Sequence, residues 1–154
     1  MTTPLVVLHL IASAVALVSG GLVLSGRGHG ALPKHLVPLY LGSVGAAGAS
    51  SLGLFRETGG WHALHGVALL LLAVLIPPGL ALVRQDGAAA VFPRHRRTLS
   101  GTYLVLLVST VLETARRIVA PMLAARGFEA WEAYWVAVGL LAAGMAVLGL
   151  RLIR

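Results

Sequence analysis

Histidine is the residue type whose chemistry is most informative in this chain. Six histidines occur among 154 residues, and His9, His35, His65 and His95 follow one another at intervals of 26, 30 and 30 residues. A neutral imidazole is a common ligand of metal ions and of haem iron. Because the chain has no cysteine, thiolate ligands and disulfide bonds are excluded. The chemistry that the fold must position is therefore that of imidazole.

The composition is typical of a membrane protein. Hydrophobic residues make up 58% of the chain and charged residues 11%, against about 25% charged residues in a soluble domain. The formal net charge of +7 comes from short clusters of Lys and Arg between apolar runs, which is where bilayer topology places them. We therefore predict the lipid bilayer as a partner and no nucleic-acid binding.

Five apolar runs are long enough to cross a bilayer, since about 20 residues at ~1.5 Å each span a ~30 Å core. They cover about residues 5–24, 35–55, 61–83, 97–118 and 131–152. The first run has no basic segment before it and is predicted to be retained as a helix. We predict an all-α polytopic membrane protein. Its single transmembrane domain, residues 1–154, is an antiparallel four-helix bundle plus a fifth transmembrane helix.

Prolines and basic residues refine this topology. Pro77 and Pro78 are expected to kink the third helix, and Pro121 to end the fourth. Lys and Arg are concentrated in the odd-numbered loops and at the C-terminus. By the positive-inside rule, the N-terminus is outside and the C-terminus is in the cytoplasm, across a bacterial inner (cytoplasmic) membrane. All three tryptophans then lie at the outer boundary, as an aromatic belt does: Trp61, Trp131 and Trp135.

The helices place the histidines in two predicted pairs. In an up-down bundle, helices one and three lie diagonally across the core, as do helices two and four. His9 and His65 are then near the outer face, and His35 and His95 near the inner face. Two imidazoles facing each other at one depth can ligate one iron from both sides. The pattern predicts one or two haem b groups, with the two sites about 20 Å apart.

Other ligand sets remain open. His62 lies one turn from His65 and is the alternative axial ligand. It is equally the third ligand of a zinc or copper site with His9 and His65. His35 and His95 adjoin basic residues at helix ends, where an imidazole can sit in the headgroup layer without a ligand. The sixth histidine, in a Gly-rich loop, is interpreted as a loop residue: His29.

Two further features have a structural and a functional interpretation. Glu113 is followed by Arg116 and Arg117 at i+3 and i+4, which favours an intrahelical ion pair. The functional alternative is a proton relay or a contact with a quinol head group. The second predicted helix is rich in small residues, which favours tight helix packing in lipid. Alternatively, Gly42, two turns from His35, leaves room for a flat ligand beside that histidine.

Two resemblances bear on function. The alternation of histidines over about residues 5–118 resembles the architecture of transmembrane di-haem cytochromes b, which pass electrons from ascorbate or quinol across a membrane. A second likeness rests on His65, the run Leu-Ala-Val-Leu-Ile-Pro-Pro at 72–78, the Arg-His-Arg-Arg run at 94–97 before Tyr103, and Lys34 and His35 before Tyr40. These features resemble two related families of small bacterial membrane proteins of uncharacterised function. Some members of one family are implicated in assembly of haem-copper oxidases.

The sequence therefore predicts a membrane b-type haem protein that transfers electrons through bis-histidine haem and is linked to quinol. Its enzymatic role is at most that of an electron-transfer or quinol-oxidising component. One alternative is a non-redox assembly or accessory subunit that packs against a larger respiratory or pigment-binding membrane complex. The other is a pigment-binding subunit in which one histidine ligates a chlorin magnesium. No phosphate-binding loop, nucleophile elbow or HExxH motif occurs, so hydrolase and nucleotide chemistry have no support.

Overall fold

A computed structural model describes residues 4–25, 35–54, 60, 63–84, 87–127, 129, 131–132, 134–136 and 138–140. Nearly all of these residues are helical, and none of them lies in a strand. The helices are α1 (Pro4–Ser25), α2 (Leu36–Gly53), α3 (Ala63–Val83), α4 (Gly87–Thr114), a π-helix (Ala115–Val119) and α5 (Ala120–Ala124). The chain divides into two compact units, Met1–Leu104 and Val105–Arg154.

Within the part of the chain that the structure describes, three helices are long and apolar enough to cross a membrane. These stretches are Pro4–Ser25, Leu36–Gly53 and His65–Val83. Their outward faces are apolar as well: Leu10, Ile11 and Val18 of α1 are 60%, 59% and 66% exposed. A continuous apolar face of this kind would be costly in water and is favourable in lipid. The protein is therefore an all-helical membrane protein. The four-helix bundle with a fifth span stays a prediction.

The first unit is built around the antiparallel pair α1 and α2. A Cβ atom added to Gly53 at the end of α2 would lie 2.7 Å from the Leu5 side chain near the start of α1. A Cβ atom on Gly20, toward the end of α1, would lie 2.6 Å from the Tyr40 ring near the start of α2. Small residues thus bring the two helices into close contact at both ends, as expected in lipid. In the same unit, a Cβ atom added to Gly48 of α2 would lie 3.1 Å from the Leu72 side chain of α3, so Leu72 packs over this glycine.

Tyr40 joins α4 to this pair. Its side chain is completely buried, and its hydroxyl lies 3.2 Å from the Leu99 carbonyl oxygen and 2.9 Å from Thr102 Oγ1. The Tyr103 ring stands edge-on to the Tyr40 ring, with 6.4 Å between centroids. The Thr102 hydroxyl donates to the Leu99 carbonyl at 2.9 Å, so the Tyr40 and Thr102 hydroxyls and the Leu99 carbonyl are all hydrogen-bonded. Such satisfied polar contacts are one way in which helices associate where no water competes.

A helical segment precedes the predicted fourth span, and the two meet at a kink. Helix α4 starts at Gly87 rather than near residue 97, and it is kinked at His95, where φ is −112° and ψ is 18°. Hydropathy detects where a helix becomes apolar, and the kink at His95 divides α4 into two helical segments, the second of which begins at Arg96. The segment before the kink is therefore helical without being part of a predicted span.

The second unit contains the end of α4 and the residues that follow it. Pro121 does not end the helical backbone, which continues to Ala124. A proline cannot donate to the carbonyl four residues earlier, and its ring collides with that carbonyl in an α-helix. The wide π-turn just before it, closed by a bond from the Ala120 N–H to the Ala115 carbonyl, accommodates this mismatch. The chain then turns at Gly127, whose φ of +94° favours glycine.

The predicted fifth helix, 131–152, is described only in part. Residues 131–132, 134–136 and 138–140 are helical, and residues 141–154 lie outside the described part of the chain. Trp131 and Trp135 are 63% and 60% exposed, and the Trp131 indole N–H donates to the Glu129 carboxylate at 3.1 Å. Exposed tryptophans with a polar partner suit a membrane interface, although the orientation of the protein stays a prediction.

Candidate functional site

His9 lies on the buried side of α1, five residues from its start, and is half-buried. Its Nδ1 atom is 3.0 Å from the Ala47 carbonyl oxygen and 3.3 Å from Ser50 Oγ, both on α2. An imidazole in an apolar span is thus held by a neighbouring helix rather than directed into lipid. Ionisable residues in spans are costly and are functional candidates for that reason.

The hydrogen bonds of His9 define its tautomer. A carbonyl oxygen can only accept, so the 3.0 Å contact with Ala47 requires a proton on Nδ1. Ser50 directs its own hydroxyl to the Ala46 and Ala47 carbonyls at 2.7 and 3.0 Å, which leaves its oxygen to accept from His9 as well. In the neutral ring, Nε2 then carries the lone pair. A histidine that ligates a metal through Nε2 is commonly held in this way.

The sequence did not indicate these partners of His9. Ala47 and Ser50 belong to the small-residue run of α2, and the expectation there was helix packing or room for a ligand beside His35. The partner atom on Ala47 is a backbone carbonyl oxygen, which every residue type has, so the sequence cannot identify it. Serine could have been a signal, but Ser43 and Ser19 make the same bonds to their own helix backbone without contacting a histidine.

Among the candidate ligands that the structure describes, His65 is the most buried, with only 2% of its surface exposed. It shares the buried stripe of α3 with Ala68, Leu71 and Leu75, each also buried. These residues recur at helical spacing, so the stripe is the inward face of α3. His65 therefore satisfies the requirement that a predicted ligand be inside the protein rather than in lipid.

His9 and His65 do not lie at the same level along α2. His9 contacts Ala47, and Leu72 of α3 packs on the adjacent residue Gly48. Leu72 is therefore the α3 residue level with His9. His65 precedes Leu72 by seven residues, about 10 Å along α3. The two histidines are therefore offset along the helix axes, whereas the predicted site has them at one depth.

The second predicted pair is placed differently. His35 lies immediately before α2, is exposed and makes no side-chain cap hydrogen bond. It shares its side of α2 with Leu39, whereas α2 contacts α4 through Tyr40. His95 is half-buried at the kink of α4. No described contact joins His35 and His95, and His35 lies on a face of α2 other than the one that packs on α4.

The remaining candidates are only partly described. His29 and His62 lie outside the described residues, so the alternative ligand and the three-histidine site stay predictions. Among the residues that are described, no group of three or more His, Asp or Glu could hold a metal ion. Glu113 is half-buried in α4. The side chains of Arg116 and Arg117 lie outside the described part of the chain, so the ion pair with Glu113 stays a prediction.

Comparison with known proteins gives no further guide to the site. The chain has no significant match among protein-family models, curated proteins or solved structures.

Proposed function

We propose that this protein is a membrane b-type haem protein and that His9 is an axial ligand of its iron. The observation that carries the proposal is the Nδ1 hydrogen bond from His9 to the Ala47 carbonyl, which leaves Nε2 as the ligating nitrogen. Among the described residues Nε2 has no hydrogen-bond partner, and an unpaired ring nitrogen in an apolar interior costs about 1–3 kcal/mol. Ligation of iron would remove that cost and would account for the histidine in the span.

His65 is the proposed second ligand because it is buried on the inward face of α3. His65 is offset from His9 by roughly 10 Å along α3. The coordination number of the iron would therefore show whether both histidines bind it. Two axial histidines give a six-coordinate, low-spin iron, whereas His9 alone gives a five-coordinate iron. We also propose His35 and His95 as ligands of a second haem. The exposed position of His35 argues against this second site.

The topology that we propose supports an electron-transfer role. Helices α1 to α4 form the antiparallel bundle in a bacterial inner membrane, with the N-terminus outside and a fifth span following. The contacts between α1 and α2, and between Tyr40 and α4, favour this arrangement. His9 and His65 would hold a haem near the outer face, between a membrane quinol as electron donor and a partner protein as acceptor. When bound, the haem supplies the one-electron chemistry, and this chain supplies the ligands and the apolar surroundings.

The experiment is a visible spectrum of the protein purified from haem-replete cells. We expect reduced-state bands of a b-type haem in the unaltered protein. His9→Ala should abolish them, and His29→Ala, in the predicted Gly-rich loop, should leave them unchanged. His65→Ala should convert a low-spin spectrum to a high-spin one if His65 is the second ligand. Spectra unchanged by His9→Ala would refute the proposal, and the effect of His95→Ala on haem content tests the second site.

A second candidate function is supported by the outward face of α2. A Cβ atom on Gly42 or Gly45 would meet nothing within 4 Å, and Gly42 and Ala49 are exposed. An open face of small residues suits close approach by a helix of another protein in lipid. The protein would then be an accessory subunit of a larger membrane complex. Absence of visible absorption in the purified protein would support this accessory-subunit hypothesis. A chlorin spectrum would instead indicate a pigment-binding subunit.

The accessory hypothesis has its own test in native gel electrophoresis of mildly solubilised membranes. Gly42→Leu and Gly45→Leu should release the protein from any large assembly because the added side chains separate the helices. Gly79→Leu is the matched control, since a Cβ there also meets nothing within 4 Å but lies on α3. Migration that is the same for all three variants would exclude this face as a docking surface.

A further inference from the structure

Arginine side chains surround the kink in α4. Arg94, Arg96 and Arg97 flank His95, where the helix changes direction, and all three are exposed. Arg96 and Arg97 open the straight part of α4 that packs on Tyr40 through Leu99. The basic cluster therefore lies at the junction of two helical segments and not in a loop.

The position of these arginines along the membrane normal follows from the contacts that align α4 with α2. Leu99 and Thr102 contact Tyr40, which is four residues, or about 6 Å, inside the start of α2 at Leu36. Arg97 precedes Leu99 by two residues, about 3 Å. Since Leu36–Gly53 is of spanning length, Arg97 lies near the level at which the hydrocarbon layer ends. Its guanidinium can reach the phosphate layer while its methylene groups remain in apolar surroundings.

The face of α4 below Arg97 is open. Gly101 and Leu104 follow Arg97 at i+4 and i+7, so all three lie on one side of the helix. Both are exposed, Leu104 by 61%, and a Cβ atom on Gly101 would meet nothing within 4 Å. This side of α4 therefore has a positively charged group at one end and an exposed apolar surface next to it. A phospholipid has the complementary arrangement, a phosphate followed by acyl chains.

We propose that Arg96, Arg97 and the strip formed by Gly101 and Leu104 bind an anionic phospholipid. The guanidinium groups contact the phosphate, which they can bind bidentately, and an acyl chain lies along Gly101 and Leu104. The net negative headgroup distinguishes this lipid from a zwitterionic one, because each nearby basic residue contributes about fivefold to binding of anionic lipid. This site is independent of the haem proposal, since it uses none of the candidate ligands.

The test is native mass spectrometry of the full-length protein in nonionic detergent with phosphatidylglycerol or phosphatidylcholine added. The unaltered protein should retain phosphatidylglycerol preferentially. Replacing both Arg96 and Arg97 by Gln should reduce this preference by about 25-fold, at a fivefold loss per arginine. Arg97→Lys should reduce it less, because charge remains but bidentate geometry is lost. Arg126→Gln, an exposed arginine of the second unit, should leave it unchanged.

Several outcomes would overturn the proposal. One is equal retention of the two lipids, and another is an equal loss in Arg126→Gln. If inorganic phosphate displaces the lipid completely, the arginines bind free phosphate. If the double variant loses haem absorption and keeps its lipid preference, the arginines bind haem propionates. The single variant Arg97→Gln provides the measurement if the double variant does not elute as a monodisperse species.

Discussion

Gly20 is the position where a single methyl group should be most informative about packing. An alanine Cβ there would lie 2.6 Å from Tyr103 Cδ2 and 2.6 Å from Tyr40 Cε2, against about 3.5–4.0 Å for an ordinary contact between carbon atoms. The deficit is about 1 Å on two rings at once. Tyr40 cannot swing aside because it is fully buried and its hydroxyl is bonded to α4. Overpacking of this kind costs about 1–3 kcal/mol.

Gly42→Ala isolates that packing cost. A Cβ at Gly42 meets nothing within 4 Å, and alanine should favour the helix by up to about 1 kcal/mol at either position. Helix propensity therefore cancels between the two variants, and Gly20→Ala should be the less stable by about 1–3 kcal/mol. At roughly 2–4 °C per kcal/mol, thermal denaturation in detergent, followed by loss of the monodisperse species in size-exclusion chromatography, should resolve this difference. Equal midpoints would refute the close approach of α1 to Tyr40.

Three further predictions follow from the same contacts. Tyr40→Phe should lower the free energy of unfolding by about 0.5–1.5 kcal/mol, and no more, because the Leu99 carbonyl keeps its bond from Thr102; a larger loss in the same denaturation assay would contradict this. If His9 ligates haem, Ser50→Ala should weaken haem retention about tenfold or more, while Ser43→Ala, which removes a similarly bonded hydroxyl, should not. Reporter fusions at 87 and 127 should be cytoplasmic and external, respectively, and the reverse result would invert the predicted topology.

The apolar runs predicted α1, α2 and α3 to within two residues at the described ends. This succeeded because length and apolarity are what a bilayer demands of a helix. The start of α4 was not predictable in the same way. Hydropathy placed the start of the fourth span near residue 97, within one residue of the segment that follows the kink at His95, but it did not indicate the helical segment that begins at Gly87 before the kink. A helix that lies partly outside the apolar layer gives no hydropathy signal over that part.

The candidate site was predictable only at the level of residue types. His9 and His65 stand out because imidazoles are rare in apolar runs, and both have proved to be at least half-buried. Their relative level depends on how α1 and α3 each register against α2, which is decided by contacts such as Leu5 with Gly53 and Leu72 with Gly48. Such contacts join residues far apart in sequence, and a single chain carries no pattern that specifies them.

The π-turn at Ala115–Val119 has a consequence for how the chain tolerates changes in length. A turn closed between residues five apart holds one residue more than an α-helical turn. An α-helix advances 100° per residue, so the extra residue shifts the angular positions of the following side chains about the helix axis by about 100° relative to residues 105–114. Deleting one residue within the turn would restore continuous α-helical phase and bring the Pro121 ring onto a carbonyl. The second unit should therefore tolerate substitutions in this turn far better than single-residue deletions.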